Sequence, residues 1–464
     1  MTTIRSLLPR PSILVCLTVL LNGCADDFLD VRSDLGIATP SSVADYRAML
    51  DLSSLYGNNG YILSIPATDE FYVETPVYQA LPLGNYQRQQ KNAYLWLPEI
   101  YENEEGLDWN SAYSKILTVN LVLDGLKKID AKEEGHAPVK GTALFLRAFH
   151  YYQLAQLFAP PYDPVTAGQD LGIPLRLEAD VTIPSKRASV QDTYARILAD
   201  LGESLQLLPD KPVGNKRKPS KAAVHALMAR VLLLMDDHGA ALAHALLSRG
   251  YEGSLLDYAG LHTDQNFPFK RDHGSSNPEV LFFAYTRAFN LLHDSRMHID
   301  PRLESLYDAG DIRRSVYFKK GAKGNVYFRG SLEGSNLIFC GLTTAETLLI
   351  AAECHIRTGR PDQAAGLLDE LRRYRSGQQQ WEPLVWDDKD DLLQYCLEER
   401  QRELCFRGLR WEDLRRLNKD ARFAKTLVRQ VAGETYVLEP NDLRYVWPIP
   451  NSVVQLTGME QNDR

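Results

Sequence analysis

Three kinds of residue in this 464-residue chain have side chains that could carry chemistry: paired carboxylates, histidines and loop-borne aromatics. Asp69-Glu70 and the group Glu102, Glu104 and Glu105 have the composition of a glycosidase acid–base pair. That reaction needs two carboxyls at a defined separation, so a solvated surface is the plainer reading of both groups. His238 and His244 are too far apart to share one helical face, and His293 and His298 fall in a loop-rich stretch. Satisfied structural histidines are expected there, with no metal site. Gly-x-Ser-x-Gly, P-loop and His-Glu-x-x-His patterns do not occur, and no catalytic residue or cofactor is expected. The aromatics are the sharper lead. Tyr56, Tyr61, Phe71, Tyr72, Tyr78 and Tyr86 crowd residues 53–95, and Phe267, Phe269, Tyr317, Tyr327, Phe328 and Phe339 crowd residues 250–342. Sugar rings stack their C–H faces on such side chains while Asn, Asp and Arg bind hydroxyls. Peptides use similar pockets together with backbone hydrogen bonds.

The elements that must position these residues read as helices separated by long irregular stretches. Apolar residues recur at helical spacing near 42–52, from Trp109 through Leu123, over about 140–158, and from Ser189 to Leu201. Ser189 and Ser220 are candidate caps, and Pro160-Pro161 and Pro209 are stops. Segments 220–235 and 240–248 form a pair, the first of them apolar on almost every face and therefore buried. Segments 344–358 and 362–375 form a second pair, with Gly359 closing one helix and Pro361 opening the next. Ala229, Ala240 and Ala243, like Ala351 and Ala364, are small residues near the predicted crossings, the pattern of tetratricopeptide-like hairpins. Residues 172–175 read as an extended connector, residues 53–95 as loop, and residues 280–285 as one strand. The fold class expected is mainly α, with long loop-rich insertions and a few short strands.

Residues 1–23 do not look like the start of a fold. Arg5 and Arg10 precede an apolar run of about ten residues, too short to span a bilayer, which stops at Leu21-Asn22-Gly23-Cys24. This resembles a bacterial lipobox. It makes residues 1–23 a signal peptide and Cys24 the lipidated N-terminus, tethering a soluble body to a membrane. Four cysteines remain in that body: Cys340, Cys354, Cys396 and Cys405. None forms a Cys-x-x-Cys pair, and a disulfide is allowed without the spacing saying which residues would form it. The formal charge is −8, and it becomes more acidic once Arg5 and Arg10 leave with the leader. Without a basic stripe this argues against nucleic acid as the partner. It also argues against polyanionic glycans, unless a local patch overrides the net charge.

Several stretches in order resemble one family. Trp109-x-x-x-Tyr113-x-x-Ile116-x-x-x-Asn120 is followed by Gly141-x-Ala143-x-Phe145-Leu146-Arg147-Ala148. Ala345-Glu346-x-Leu348-Leu349-Ile350-x-Ala352-Glu353 comes next. Then comes Glu399-Arg400-x-Arg402-Glu403-Leu404-x-Phe406-x-Gly408-x-Arg410-Trp411-x-Asp413-Leu414-Arg415-Arg416, and last Val446-Trp447-Pro448-Ile449-Pro450. Together these resemble the SusD/RagB outer-membrane lipoproteins of Bacteroidetes. Thr457-Gly458-Met459 departs from the Asn-Pro common at that place. The resemblance implies one SusD-like domain over residues 24–464, divided into 24–215 and 216–464, with a loop-rich insertion at about 250–342.

It further implies a non-enzymatic nutrient-binding protein on the outer face of the outer membrane. Its partners would be an oligosaccharide, or in RagB-like members a peptide, and a SusC-like TonB-dependent transporter that it caps as a lid. Family ligand contacts lie in loops, here 69–96 and about 267–339. The expected ligand residues are Tyr72, Tyr78, Trp96, Tyr317, Tyr327 and Arg329. The rival readings are a surface glycosidase and a purely structural surface protein. The run 399–416 is expected to dock a helical pair on the core with charged networks around Trp411 rather than touch ligand. If Cys24 carries the lipid, Cys24→Ala moves the protein from the membrane to the soluble fraction; a variant that stays membrane-bound and processed overturns that reading.

Overall fold

Helix starts follow the caps that the chain offers. In the computed structural model, which describes residues 40–464 apart from 58–62, 83, 103, 288–289 and 377–380, Ser42 caps helix Val43–Leu50 in a reciprocal box with Asp45. Ser189 Oγ accepts from the Asp192 amide at 2.9 Å and starts Val190–Leu207. Ser220 holds the N-cap position of Lys221–Leu234 but makes no capping bond with its side chain. Helix His136–Phe158 begins about a turn earlier than its apolar pattern suggests. Gly135 turns the chain with φ +81°, and Pro138 sits in the first turn, where its missing amide costs nothing.

The helices stack on their neighbours along the chain. Leu107–Leu126, His136–Phe158 and Val190–Leu207 pack in succession, then Lys221–Leu234 on His238–Tyr251, and Thr344–Arg357 between Pro361–Ser376 and Lys389–Leu404. Every residue from Ala222 to Leu234 is buried, as its uniform apolarity requires. Fully buried Ala226, Ala229, Ala241 and Ala245 let the two helices of that hairpin approach closely. Gly359 takes φ +79° at the turn into Pro361–Ser376. Among the described residues no helix is long and apolar enough to cross a membrane.

Strands among the described residues form six two-stranded antiparallel ladders, most of them in the loop-rich part. The 280–285 run is not one strand. Val280–Phe282 pairs with Leu342–Thr343, and Tyr285–Thr286 pairs with Ile338–Phe339. Between them the Phe283 amide donates to Lys216 O at 2.7 Å, a long-range bond that local pattern cannot reveal. The 172–175 connector lies in a ladder of its own, Leu171–Pro174 with Arg187–Ser189. Residues 53–95 are more regular than expected. They contain helices Ser53–Tyr56, Thr75–Gln79 and Asn85–Tyr94. Asn85–Tyr94 is almost wholly polar in sequence, so apolar periodicity had nothing to register.

The carboxylates at 69–70 are not a solvated surface. Asp69 receives both forks of Arg410 at 2.8 and 2.9 Å and Lys425 at 2.5 Å. Glu70 accepts the Phe406 amide at 2.7 Å and the Thr68 hydroxyl at 3.0 Å. Both acids are buried because their cationic and amide partners arrive from more than 300 positions away. Glu102 does lie at the surface, paired with Arg88 at 2.9 Å. Cys340, Cys354, Cys396 and Cys405 are free and buried, so they behave as small apolar side chains.

The 399–416 run docks its helices through charge, as expected. Glu399, Arg400, Arg402, Glu403, Glu412 and Asp413 are all buried, and Trp411 stacks on Trp447 at 5.3 Å. Glu412 accepts the Tyr152 hydroxyl. Burial, helped by the Asp413 carboxylate and opposed by Arg230, pushes its carboxyl up to about 7. A raised carboxyl gives stability that is fully present below its unfolded value of 4.5 and is lost as pH rises through 7. Glu412→Gln therefore gains on the wild type by about 1 kcal/mol per pH unit from pH 4.5 to 7 and levels off above. Urea unfolding of both forms across that range measures this, and a difference independent of pH overturns it.

Candidate functional site

The two loop regions that the aromatics mark are joined by an antiparallel ladder of Phe71–Val73 with Met297–Ile299. Alternation sends Phe71, Val73, Met297 and Ile299 into a shared core. It leaves Tyr72 outside, 39% exposed and directly opposite His298. Their rings stack at 4.9 Å and 18°, and Glu74 lies 3.6 Å from the imidazole. Tyr327 is half-buried on strand Val326–Phe328, opposite Lys319. Tyr86 is exposed, with the Arg287 guanidinium 5.7 Å from its ring.

The other expected ligand residues point elsewhere. Tyr78, Trp96 and Tyr317 are core side chains. Trp96 Nε1 donates to Ala67 O at 2.9 Å, and the Tyr317 hydroxyl lies 3.1 Å from that of Tyr258. Burial, with Glu403 nearby, holds the Tyr317 phenol well above its usual range. Arg329 is 5% exposed. Its guanidinium donates to Gln265 O, to Thr263 O at 2.7 Å and to Ser315 O at 2.7 Å. It is thus a clamp on the 263–265 loop. Loop aromatics that cover a core and loop aromatics that face solvent have the same sequence signature, so spacing could not separate them.

What Arg329 clamps is one wall of a cleft of about 700 Å³. Phe267 is half-exposed in it, and Gln265, Asn266, Lys270, Arg271 and Asn277 line the same cleft. Phe269 anchors the same wall in the core against Tyr258, ring centres 5.5 Å apart. The loop crosses Gly334 so closely that a Cβ there would lie 2.6 Å from the Lys270 backbone. Lys319 holds the Asn266 side chain at 2.9 Å. Phe267 and Asn277 were missed as candidates. Phe267 had been noted only as one loop aromatic among many, and nothing local marks Asn277.

The walls are held by a buried charge network. Arg375 donates to Leu256 O at 2.9 Å, to Glu279 at 2.7 Å and to Glu403 at 2.9 Å, with its guanidinium 3.8 Å from the centre of the Tyr258 ring. Glu279 accepts the Leu256 amide at 2.8 Å, and its own amide donates to Asn277 Oδ1 at 2.9 Å. Leu256 and Asn277 line the cleft. Burial and the neighbouring Glu403 carboxylate push the Glu279 carboxyl upward, while Arg375 opposes them. Among the described residues no Asp or Glu lines the cleft. Among the described residues no group of three His, Cys, Asp or Glu is placed to hold a metal ion. The arrangement offers a ring to stack on, amides for hydroxyls, and cations. Arg375→Ala leaves two buried carboxylates without their shared partner and costs about 3–5 kcal/mol in equilibrium unfolding; a loss under 1 kcal/mol overturns the role given to this network.

Comparison with known proteins gives a consistent answer. A family model described as "Starch-binding associating with outer membrane" matches residues 27–233, and one described as "SusD family" matches residues 339–464. SusD-like protein P2 of Formosa agariphila is 26% identical over 373 residues, covering 67% of this chain and 71% of that protein. SusD-like protein P38 of the same organism is 24% identical over 422 residues, covering 74% and 76%. A SusD superfamily protein from Bacteroides thetaiotaomicron superposes with a TM-score of 0.73 at 19% identity, over 91% of this chain and all of that one. A laminarin-binding SusD-like protein gives 0.61 at 18% identity, over 90% and 98%.

Proposed function

The chain belongs to the SusD/RagB family, and from that premise we propose that it is a cell-surface lipoprotein which captures a glycan in the 256–277 cleft and passes it to a SusC-like TonB-dependent transporter. The cleft carries the reading. A half-exposed phenylalanine in a cleft that side-chain amides also line, on a loop held from behind, suits a sugar ring and its hydroxyls. Tyr72, stacked on His298, offers a second outward ring on the same loop-rich half. The lipid on Cys24 and the orientation toward the cell exterior belong to the same proposal. Cys24 lies outside the described residues.

The ligand contacts proposed are Tyr72, Tyr327, Phe267 and Asn277, with Arg329 positioning the loop. The work done is binding rather than turnover, which the family and a cleft lining free of carboxylates support. A peptide ligand of the RagB kind is the rival.

Calorimetry of the soluble body, residues 25–464, against glycan and peptide libraries separates the readings. Glycans are expected to bind, with Phe267→Ala weakening them about tenfold, the size of one lost stacking contact. Peptide binding alone, or release of shortened products from any glycan, overturns the proposal. So does a protein that always leaves the outer membrane without a transporter.

A further inference from the structure

The cleft is locally cationic in a chain that is acidic as a whole. Asp and Glu outnumber Lys and Arg by 60 to 52. The cleft lining nevertheless contains Lys270 and Arg271 and, among the described residues, no acid. Lys270 has no ion-pair partner among the described residues. Arg271 meets Glu333 through Nε alone, at 3.4 Å, and keeps a side chain 66% exposed. Glu333 itself is 2% exposed, beneath Arg271 and Ser335, and is not part of the lining. Asp264 and Asp272, the acids nearest in sequence, are not part of it either. Lys319 reaches the lip through Asn266 at 2.9 Å and adds a further positive charge.

A second, independent observation points to a ligand. Asn277 lines the cleft and is 8% exposed. Its Oδ1 is used by the Glu279 amide, and its Nδ2, itself covered, donates to nothing among the described residues. A covered amide donor without an acceptor costs free energy, which an acceptor brought by a ligand would recover. An oxygen-rich ligand would supply it once a small turn of the side chain uncovers the donor. Phe267 gives the same ligand an apolar surface, and the two cations give it a counter-charge.

We propose that the cleft selects an acidic saccharide, a sugar ring carrying a carboxylate or a sulfate. The ring stacks on Phe267, its anionic group meets Lys270 and Arg271, and a ring or acid oxygen accepts from Asn277. The net charge of the protein repels such ligands at long range, but inside the cleft the nearby cations dominate, because screening at physiological salt cuts interactions off beyond about 8 Å. The inference rests on the glycan reading above and narrows it to one class.

The test is calorimetry at fixed pH with three probes of matched length: a galacturonate oligosaccharide, a sulfated galactan oligosaccharide and neutral maltohexaose. At least one acidic probe is expected to bind tenfold or more tightly than maltohexaose. Its affinity falls at least tenfold between 50 and 500 mM NaCl. Lys270→Gln/Arg271→Gln is expected to weaken the acidic probe at least tenfold more than maltohexaose, and Lys270→Gln alone, at an exposed position with no ion pair among the described residues, is expected to shift the preference the same way while keeping the melting temperature. The acidic probe that wins identifies carboxylate or sulfate as the group read. If maltohexaose binds as tightly as both acidic probes and the double substitution changes nothing, the acidic-saccharide inference falls and the glycan reading stands. If an acidic peptide binds and no saccharide does, both fall.

Discussion

Glu403 is the carboxylate on which the arrangement turns. It is fully buried and takes Arg313 at 3.0 Å, Arg375 at 2.9 Å and Arg407 at 3.7 Å. Arg313 also bonds Glu399 at 2.6 Å and Asp311 at 2.7 Å, and Arg375 also bonds Glu279. Burial alone would push the Glu403 carboxyl up, but the Arg375 and Arg313 charges outweigh it and hold it low. Desolvating such a set costs several kcal/mol per ion, so its net gain over an apolar core is small. Its effect is directional. Each guanidinium has a planar fork that fits one geometry, so the helices and the loop-rich region meet in one register or leave charge stranded.

Similar pairs recur wherever distant segments join. Arg230 with Glu346 at 2.6 Å ties Lys221–Leu234 to Thr344–Arg357, and Arg416 with Glu353 at 2.7 Å ties the second of these to the 399–416 run. Arg410 with Asp69 at 2.8 Å brings in the N-terminal loops. Apolar burial supplies the bulk of the cohesion, through cores that run along the helices and beneath the loops. The ion pairs fix which loop lies over which helix. The cleft inherits its rigidity from them, because Leu256 and Asn277 both answer to Arg375 through Glu279.

That dependence explains which site residues could be read in advance. Exposed Tyr72 was legible as a loop aromatic next to alternating apolar residues. Trp96 and Tyr317 carry the same signature and lie in the core, because residues far along the chain supply the surfaces that cover them: Arg429, 5.0 Å from the Trp96 ring, and Glu403, 86 positions on from Tyr317. Arg329 reads in the sequence as a polar loop residue, but its donors face backbone carbonyls of neighbouring segments. Local polarity alone also misread Asp69-Glu70 as surface.

Sequence by itself determined the helical hairpins, the Ser189 cap, the Gly359–Pro361 turn, the family motifs and the structural role of the 399–416 run. These depend on period, on capping oxygens and on residues with special backbone freedom, all of which are local. Tertiary structure alone decided which aromatics face outward, how the 280–285 segment breaks, and where Lys270, Arg271, Phe267 and Asn277 come together. Those outcomes depend on which distant segment covers a side chain or takes its last hydrogen bond, and no local pattern carries that information.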